Sequence, residues 1–148
     1  MLRANAGAVN MMTFLLGSAP TGPVNLADAL VAPDVLRPFI ENWADVAVHF
    51  LRSVQADAIA DATVETTELL RRLTAYPGVP PLSRVAPLAT HTPVLSIHFR
   101  RGDTALRVFT TIATLGTPQD VTLQEIRIEC FFPSDPASAA LLRAWAGG

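Results

Sequence analysis

The fold is decided by residues 95–112, which read LSIHFRRGDTALRVFTTI. Apolar and polar residues alternate on both sides of Arg101-Gly102-Asp103, and this period of two is typical of strands with one buried face. A glycine-containing tripeptide between two such runs is typical of a hairpin turn. The stretch therefore predicts an antiparallel β-hairpin whose aliphatic side chains face a core.

A third strand is predicted from Val121 to about Phe131, because the alternation resumes there after the turn-forming residues 116–120. We expect the aliphatic residues of all three strands to share the inner face, and on the third strand these are Ile126, Ile128 and Cys130. The outer face then carries mixed charges, which pair across strands. Its predicted residues are His98, Arg100, Arg107, Glu125, Arg127 and Glu129, with Phe109 as an apolar exception.

The chain before the sheet is predicted to be helical, with the proline-rich residues 77–93 as a connector. Side chains that accept hydrogen bonds from a first helical turn mark the helix starts. The predicted helices are residues 5–16 capped by Asn5 and ended by Gly17, a short helix capped by Asn25, a turn capped by Asp34, residues 41–59, a helix beginning at Thr63, and a final helix capped by Ser134 or Asp135. Together these elements predict an α+β fold, with an antiparallel sheet covered on one face by helices.

Composition excludes several classes of protein. The chain has 148 residues, enough for one domain and short for two. Half of its residues are apolar and 16% are charged, which excludes a mainly disordered chain. Its 11 basic residues, all arginine, are balanced by 13 acidic ones, and they form no basic cluster of the kind that binds nucleic-acid phosphates. No apolar run is long enough to span a membrane, and we expect a cytoplasmic location because the chain has one cysteine and no secretion signal.

Catalytic chemistry has little support in the sequence. No phosphate-binding glycine motif occurs, and the three histidines, His49, His91 and His98, have no metal-ligand spacing. Cys130 is expected on the inner face, where a thiol has a structural role. Glu125 and Glu129 flank Arg127 and are expected to form an ion-pair ladder. The sequence therefore predicts no catalytic residue, no metal and no cofactor.

The apolar face of the sheet leaves two interpretations open. It lies opposite a helix that carries Trp43 and Phe50, seven residues apart and thus on one helical face. These surfaces either interlock as a closed core or leave a pocket for an apolar ligand.

Several segments resemble one known family. They are NAGA at 5–8, LRPFIENW at 36–43, YPGVP at 76–80, RRGD at 100–103, GTPQDVTLQEIRIE at 116–129 and FFPSD at 131–135. In these segments the chain resembles the MmyB-like ligand-binding domains of bacterial helix-turn-helix transcription regulators.

The resemblance implies a single PAS-like ligand-binding domain over residues 1–148, with a pocket between the sheet and the helices. Family members are thought to sense small apolar molecules such as fatty acids. DNA is then contacted by a separate helix-turn-helix domain that is not in this chain. Met1–Ala4 falls inside the family's first strand-to-helix passage and is expected to be the remnant of a longer first strand.

On this reading the chain binds a fatty-acid-like molecule without covalent chemistry. The expected ligand-binding residues are Arg37, Phe39, Trp43, Phe50, Ile97, Phe99, Val108, Thr110, Ile112 and Ile128. Arg37 is the candidate for an acidic head group, because a guanidinium binds carboxylates bidentately. A surface ion pair is the alternative role for this arginine.

Two other functions compete with ligand sensing. The first is an interaction module with a closed core, in which the outer sheet face at Phe109 and the final helix at Trp145 form a homodimer interface. The second is a hydrolase or isomerase that uses His49 or His98.

Overall fold

The computed structural model describes residues 3–19, 21–22, 24–79, 94–115 and 126–147. Its helices are α1 (Ala6–Leu16), α2 (Leu26–Val31), α3 (Trp43–Asp61), α4 (Val64–Thr74) and α5 (Pro136–Trp145), with a short 3-10 helix at Arg37–Phe39 before α3. Its strands are β1 (Leu95–Arg101), β2 (Thr104–Leu115) and β3 (Ile126–Pro133). The predicted α+β fold is confirmed.

The helix starts follow the predicted caps. Asn5, Asn25, Thr63 and Asp135 each accept hydrogen bonds from backbone N–H groups in the first turn of the helix that follows. The prediction for Asp34 is wrong, because the 3-10 helix begins after Leu36 without a side-chain cap.

The hairpin forms as predicted. β1 and β2 pair antiparallel with Ile97 opposite Val108, and Gly102 occupies the turn with a positive φ of 57°. The segment that leads into α3 lies along the free edge of β1. There the N–H of Glu41 donates to the carbonyl of His98 at 2.8 Å, and the Asn42 side chain accepts from the N–H of His98 at 2.9 Å. This pairing covers the strand edge.

The predicted register of β3 is wrong. Phe131 lies opposite Thr110, and Cys130 lies opposite Thr111. Directly paired residues share a face of the sheet, so Phe131 faces the helices together with buried Thr110. The alternate residues Cys130 and Ile128 therefore face outward, and Ile128 is 43% exposed. An offset of one residue moves every side chain of a strand to the other face, and it brings Glu129 to the inner face.

The apolar interior consists of two clusters. The sheet cluster joins the inner face of β1 and β2 to α1, α2, α5, the 3-10 helix and the start of α3; its fully buried members are Leu15, Val46, Leu106 and Val108. The helical cluster lies among α2, α3 and α4 and is built on Val31, Leu51, Val54 and Leu73. Burying one such side chain contributes about 1.5–3 kcal/mol.

Some predictions concern residues outside the described ranges. These are most of the proline-rich connector, the turn at 116–120, the first part of the third strand at 121–125, and residues 1 and 2 of the predicted strand remnant. Among the helices described here, none has the length and apolarity that crossing a membrane requires.

Candidate functional site

The inner face of the sheet gathers most of the predicted ligand-binding residues. Five of them belong to the sheet cluster: Phe39, Trp43, Ile97, Phe99 and Val108. Thr110 lies on the same face of β2, because it is two residues beyond Val108, and it is 8% exposed. The structure thus brings six of the ten predicted residues to one side of the sheet.

Two other predicted residues do not join this group. Phe50 packs in the helical cluster, because α3 continues for about 10 Å beyond Trp43 to a region where α4 packs against it. Ile128 lies on the outer face, so the prediction that it faces the helices is wrong. Ile112 lies in β2, but its side chain is outside the part of the structure that can be described.

The inner face is fully buried at one end and partly exposed at the other. Leu106 and Val108 have no exposed surface, so they border no space that admits a water molecule. Leu95, Thr110 and Phe131 form a row across the three strands, and Leu95 and Phe131 are only partly buried. Beyond this row β2 and β3 continue without β1. The candidate site is therefore the inner face at this row.

Trp43 stands beside the same end of β1. The side chain of Asn42, its neighbour, donates to the carbonyl of Ser96 at 2.9 Å, and Ser96 follows Leu95 in the strand. The Trp43 Nε1 donates to the carbonyl of Leu30 at 3.0 Å, which fixes the indole against α2. An aromatic wall with a satisfied polar atom suits the binding of an apolar molecule.

Arg37 is held between Trp43 and the chain that follows α4. Its guanidinium carbon lies 3.6 Å from the centroid of the Trp43 ring, and its Nη1 donates to the carbonyl of Pro77 at 2.5 Å. Gly78 has a φ of 73°, and a β-carbon there would lie 2.8 Å from Arg37 Nη2. Within the described ranges Arg37 has no carboxylate partner, so a cation–π contact and a carbonyl take the place of the alternative surface ion pair.

Arg101, which was predicted only as part of the hairpin turn, lies on the inner face at the end of β1. Its Nη1 donates to the carbonyl of Phe14 near the end of α1, and its guanidinium lies 5.5 Å from the centroid of the Phe39 ring. The signal was its position in β1, because Arg101 continues the alternation of Ile97 and Phe99. It joins the C-terminal end of α1 to the sheet.

Glu129 lies on the inner face, although the register predicted from the sequence had placed it on the outer face. It shares the inner face with Phe131, keeps more than a third of its surface exposed, and has no hydrogen-bond or ion-pair partner in the described part of the chain. Desolvation by the surrounding protein nevertheless raises the pKa of its carboxyl above the ordinary value. Glu125 and the side chain of Arg127 lie outside the described part of the structure, so the predicted ladder with Glu129 stays a prediction.

The titratable groups along the free edge of β1 have polar partners. Arg100 pairs with Glu41 at 2.5 Å, and this contact lowers the pKa of the Glu41 carboxyl. His98 Nε2 lies 3.3 Å from the Ser96 hydroxyl, while burial lowers the pKa of His49. No group of three His, Cys, Asp or Glu residues within the described ranges is placed to hold a metal ion.

The sheet thus carries helices on one face, with aromatic side chains gathered where the inner face is partly exposed, and apolar and aromatic linings are common in small-molecule sites. The chain belongs to the MmyB-like transcription regulator ligand binding domain family, whose model matches residues 1–144. Comparisons with curated proteins and with solved structures give no match. Family membership makes the chain a regulatory ligand-binding domain and implies a small-molecule ligand in general.

Proposed function

We propose that this chain is the sensing domain of a bacterial transcription regulator and binds a fatty-acid-like molecule between the sheet and the helices. The observation that carries the proposal is the row of Leu95, Thr110 and Phe131 beside Trp43, where Leu95 and Phe131 are only partly buried. Binding then needs no covalent step. The ligand changes how a helix-turn-helix domain outside residues 1–148 is arranged on DNA in the cytoplasm.

The apolar contacts contribute a large share of the affinity that this proposal needs. Burial of ~10 methylene groups contributes about 0.8 kcal/mol each before the cost of ordering the chain. Micromolar affinity requires about 8 kcal/mol in total. In this proposal Trp43 and Thr110 touch the ligand, while Ile97, Phe99 and Val108 form the packed floor behind it.

In this proposal an acidic head group lies beside Trp43, within reach of Arg37. Arg37 uses Nη1 for the Pro77 carbonyl and presents further N–H donors. A carboxylate near the indole would therefore meet a guanidinium that is already held in place. The Phe39 ring lies 5.5 Å from the guanidinium of the other arginine, Arg101.

Native mass spectrometry of the protein purified from a heterologous host tests this proposal. We expect acyl chains to be retained by the unaltered protein and by Ser96→Asp, whose side chain is on the exposed face. Leu95→Asp, one residue away on the inner face, is expected to lose them because it adds a charge to the site. Equal retention by the two variants, or an empty unaltered protein, would overturn the proposal.

A second candidate function is homodimerisation through the outer face of the sheet. Phe132 and Ile128 are each 43% exposed there, and the rings of Phe109 and Phe132 stack with centroids 5.2 Å apart. Trp145 does not contribute as predicted, since it packs against Phe14 on the inner side.

The area of this face is about half of what one partner contributes to a standard interface. The three strands have 7, 12 and 8 residues and cover about 440 Å², against the ~800 Å² that each partner contributes. Sedimentation distinguishes the outcomes. A dimer that Phe132→Ser converts to monomer supports this function, and a monomer at micromolar concentration excludes it while leaving ligand binding intact.

A further inference from the structure

The register of β3 places two polar residues side by side on the apolar inner face. Glu129 precedes Phe131 by two residues, and Phe131 lies directly opposite Thr110. Thr110 and Glu129 are therefore diagonal neighbours on adjacent strands. Such neighbours are about 7–8 Å apart, which leaves room for one oxygen atom between their side-chain oxygens.

The chemistry of the two side chains is complementary to a hydroxyl group. A threonine hydroxyl donates one hydrogen bond and accepts others, whereas an ionised carboxylate only accepts. A ligand hydroxyl can donate to Glu129 and accept from Thr110 at the same time. A few polar groups on an apolar wall commonly fix the orientation of a small molecule.

We propose that Thr110 and Glu129 form a polar subsite that holds a hydroxyl group of the ligand. This inference rests on the proposed function and narrows its ligand class to hydroxylated acyl chains. Thr110 is 8% exposed and closes the inner side of the subsite, and Glu129 remains accessible at its mouth.

The electrostatic surroundings agree with this assignment. Desolvation raises the pKa of the Glu129 carboxyl, and a carboxylate that has lost water gains from a hydrogen-bond donor. No described residue provides that donor. A second carboxylate at the same place would be repelled, so the subsite distinguishes a hydroxyl end from an acidic end.

Calorimetric titration at neutral pH with three matched ligands tests the inference. The ligands are simple fatty acids, the ω-hydroxy acids and the α,ω-diacids, each from decanoic to hexadecanoic chain length. For at least one length we expect the hydroxy acid to bind about tenfold tighter than the simple acid, the gain from one hydrogen bond to a charged group. The diacid is expected to bind more weakly than either.

Two variants and one control assign the effect to the subsite. Thr110→Val is nearly isosteric and is expected to remove most of the tenfold preference. Glu129→Gln should reduce the preference and restore binding of the diacid. Thr111→Val, on the exposed face of the same strand, should change neither. Melting temperatures confirm that each variant is folded.

The possible failures can be told apart. If simple acids bind but no hydroxy acid of any length binds more tightly, the subsite is overturned and ligand sensing stands. If Thr110→Val and Thr111→Val have equal effects, the subsite is likewise overturned. If none of the three ligand classes binds, the proposed fatty-acid-like ligand itself fails.

Discussion

The pKa of the Glu129 carboxyl depends on the register of β3. Glu129 faces inward because Phe131 does, and desolvation is the cause of its raised pKa. In a folded protein, an acid with a raised pKa binds its proton more tightly than in the unfolded chain. The ionised form therefore opposes folding, and protonation relieves this penalty.

Glu129→Gln is expected to increase the free energy of unfolding at pH 7. The gain should shrink as the pH falls through the raised pKa and vanish below the ordinary value of 4.5. Urea unfolding at several pH values measures it. A gain that is independent of pH would contradict this explanation.

Glu68→Gln is the matched control with the opposite sign. Its hydrogen bond and ion pair with Arg71 lower the pKa of the Glu68 carboxyl. The stabilisation is present above 4.5 and is lost as the pH falls through the lowered pKa. The variant should therefore lose stability at pH 7 and match the parent in acid.

Among the elements of the fold, α5 is joined to the sheet through a hydrogen bond of one buried serine, Ser138. The Ser138 hydroxyl accepts a hydrogen bond from the backbone N–H of Arg107 at 2.8 Å, and Ser138 is 1% exposed. Its own N–H donates to Asp135, the cap of the helix. One side chain thus joins the start of α5 to β2.

Ser138→Ala is expected to reduce the free energy of unfolding by about 1–3 kcal/mol, because it leaves the Arg107 N–H without its acceptor. Ser53→Ala, at an exposed position of α3, is the control and should have little effect. Chemical denaturation measures both. Equal effects of the two substitutions would show that the Ser138 contact contributes nothing.

The helix starts at Asn5 and Thr63 could be predicted because capping is local: each side chain accepts a hydrogen bond from an N–H group three residues ahead.

The face of β3 that points inward could not be predicted from the sequence, because Ile126, Ile128 and Cys130 form as good an alternating set as Phe131 and Pro133. Contacts distant in sequence decide between them, namely the packing of Phe131 in the sheet cluster and its pairing with Thr110. The same distant contacts place Glu129 on the inner face, and for this reason the sequence pattern did not include it in the candidate site.

Thiol labelling tests the register of β3. In a Cys130→Ser background, Phe132→Cys should react quickly with a maleimide reagent, because residue 132 lies on the exposed face. Phe131→Cys should react much more slowly, because residue 131 packs inward. Labelling after denaturation is the control for intrinsic reactivity. The reverse order of rates in the native state would restore the register predicted from the sequence.

At the scale of the whole molecule, α3 connects the two apolar clusters. Its first turn carries Trp43 in the sheet cluster, and its later turns carry Leu51 and Val54 in the helical cluster. Arg37 adds a second connection, from the Trp43 ring to the carbonyl of Pro77 after α4. A ligand against Trp43 therefore touches a side chain that is linked to both parts of the fold.

The sequence predicted which side of α3 faces the sheet, but it did not predict how far along α3 the sheet cluster extends. Trp43 and Phe50 share a helical face by spacing, and this predicted that both would face the sheet. Phe50 instead meets the helical cluster, since the sheet cluster ends before the second half of α3. The length of the neighbouring layer is a tertiary property, which the period of a single helix does not encode.

Quenching of Trp43 fluorescence by a bromine-labelled fatty acid tests directly whether an acyl chain binds beside this indole. The chain has two tryptophans, and Trp145→Phe leaves Trp43 alone while keeping an aromatic ring against Phe14. We expect saturable quenching in this variant, at concentrations where calorimetry detects binding, and competition by the unlabelled acid. Binding without quenching of Trp43, or no binding at all, would contradict the proposed function.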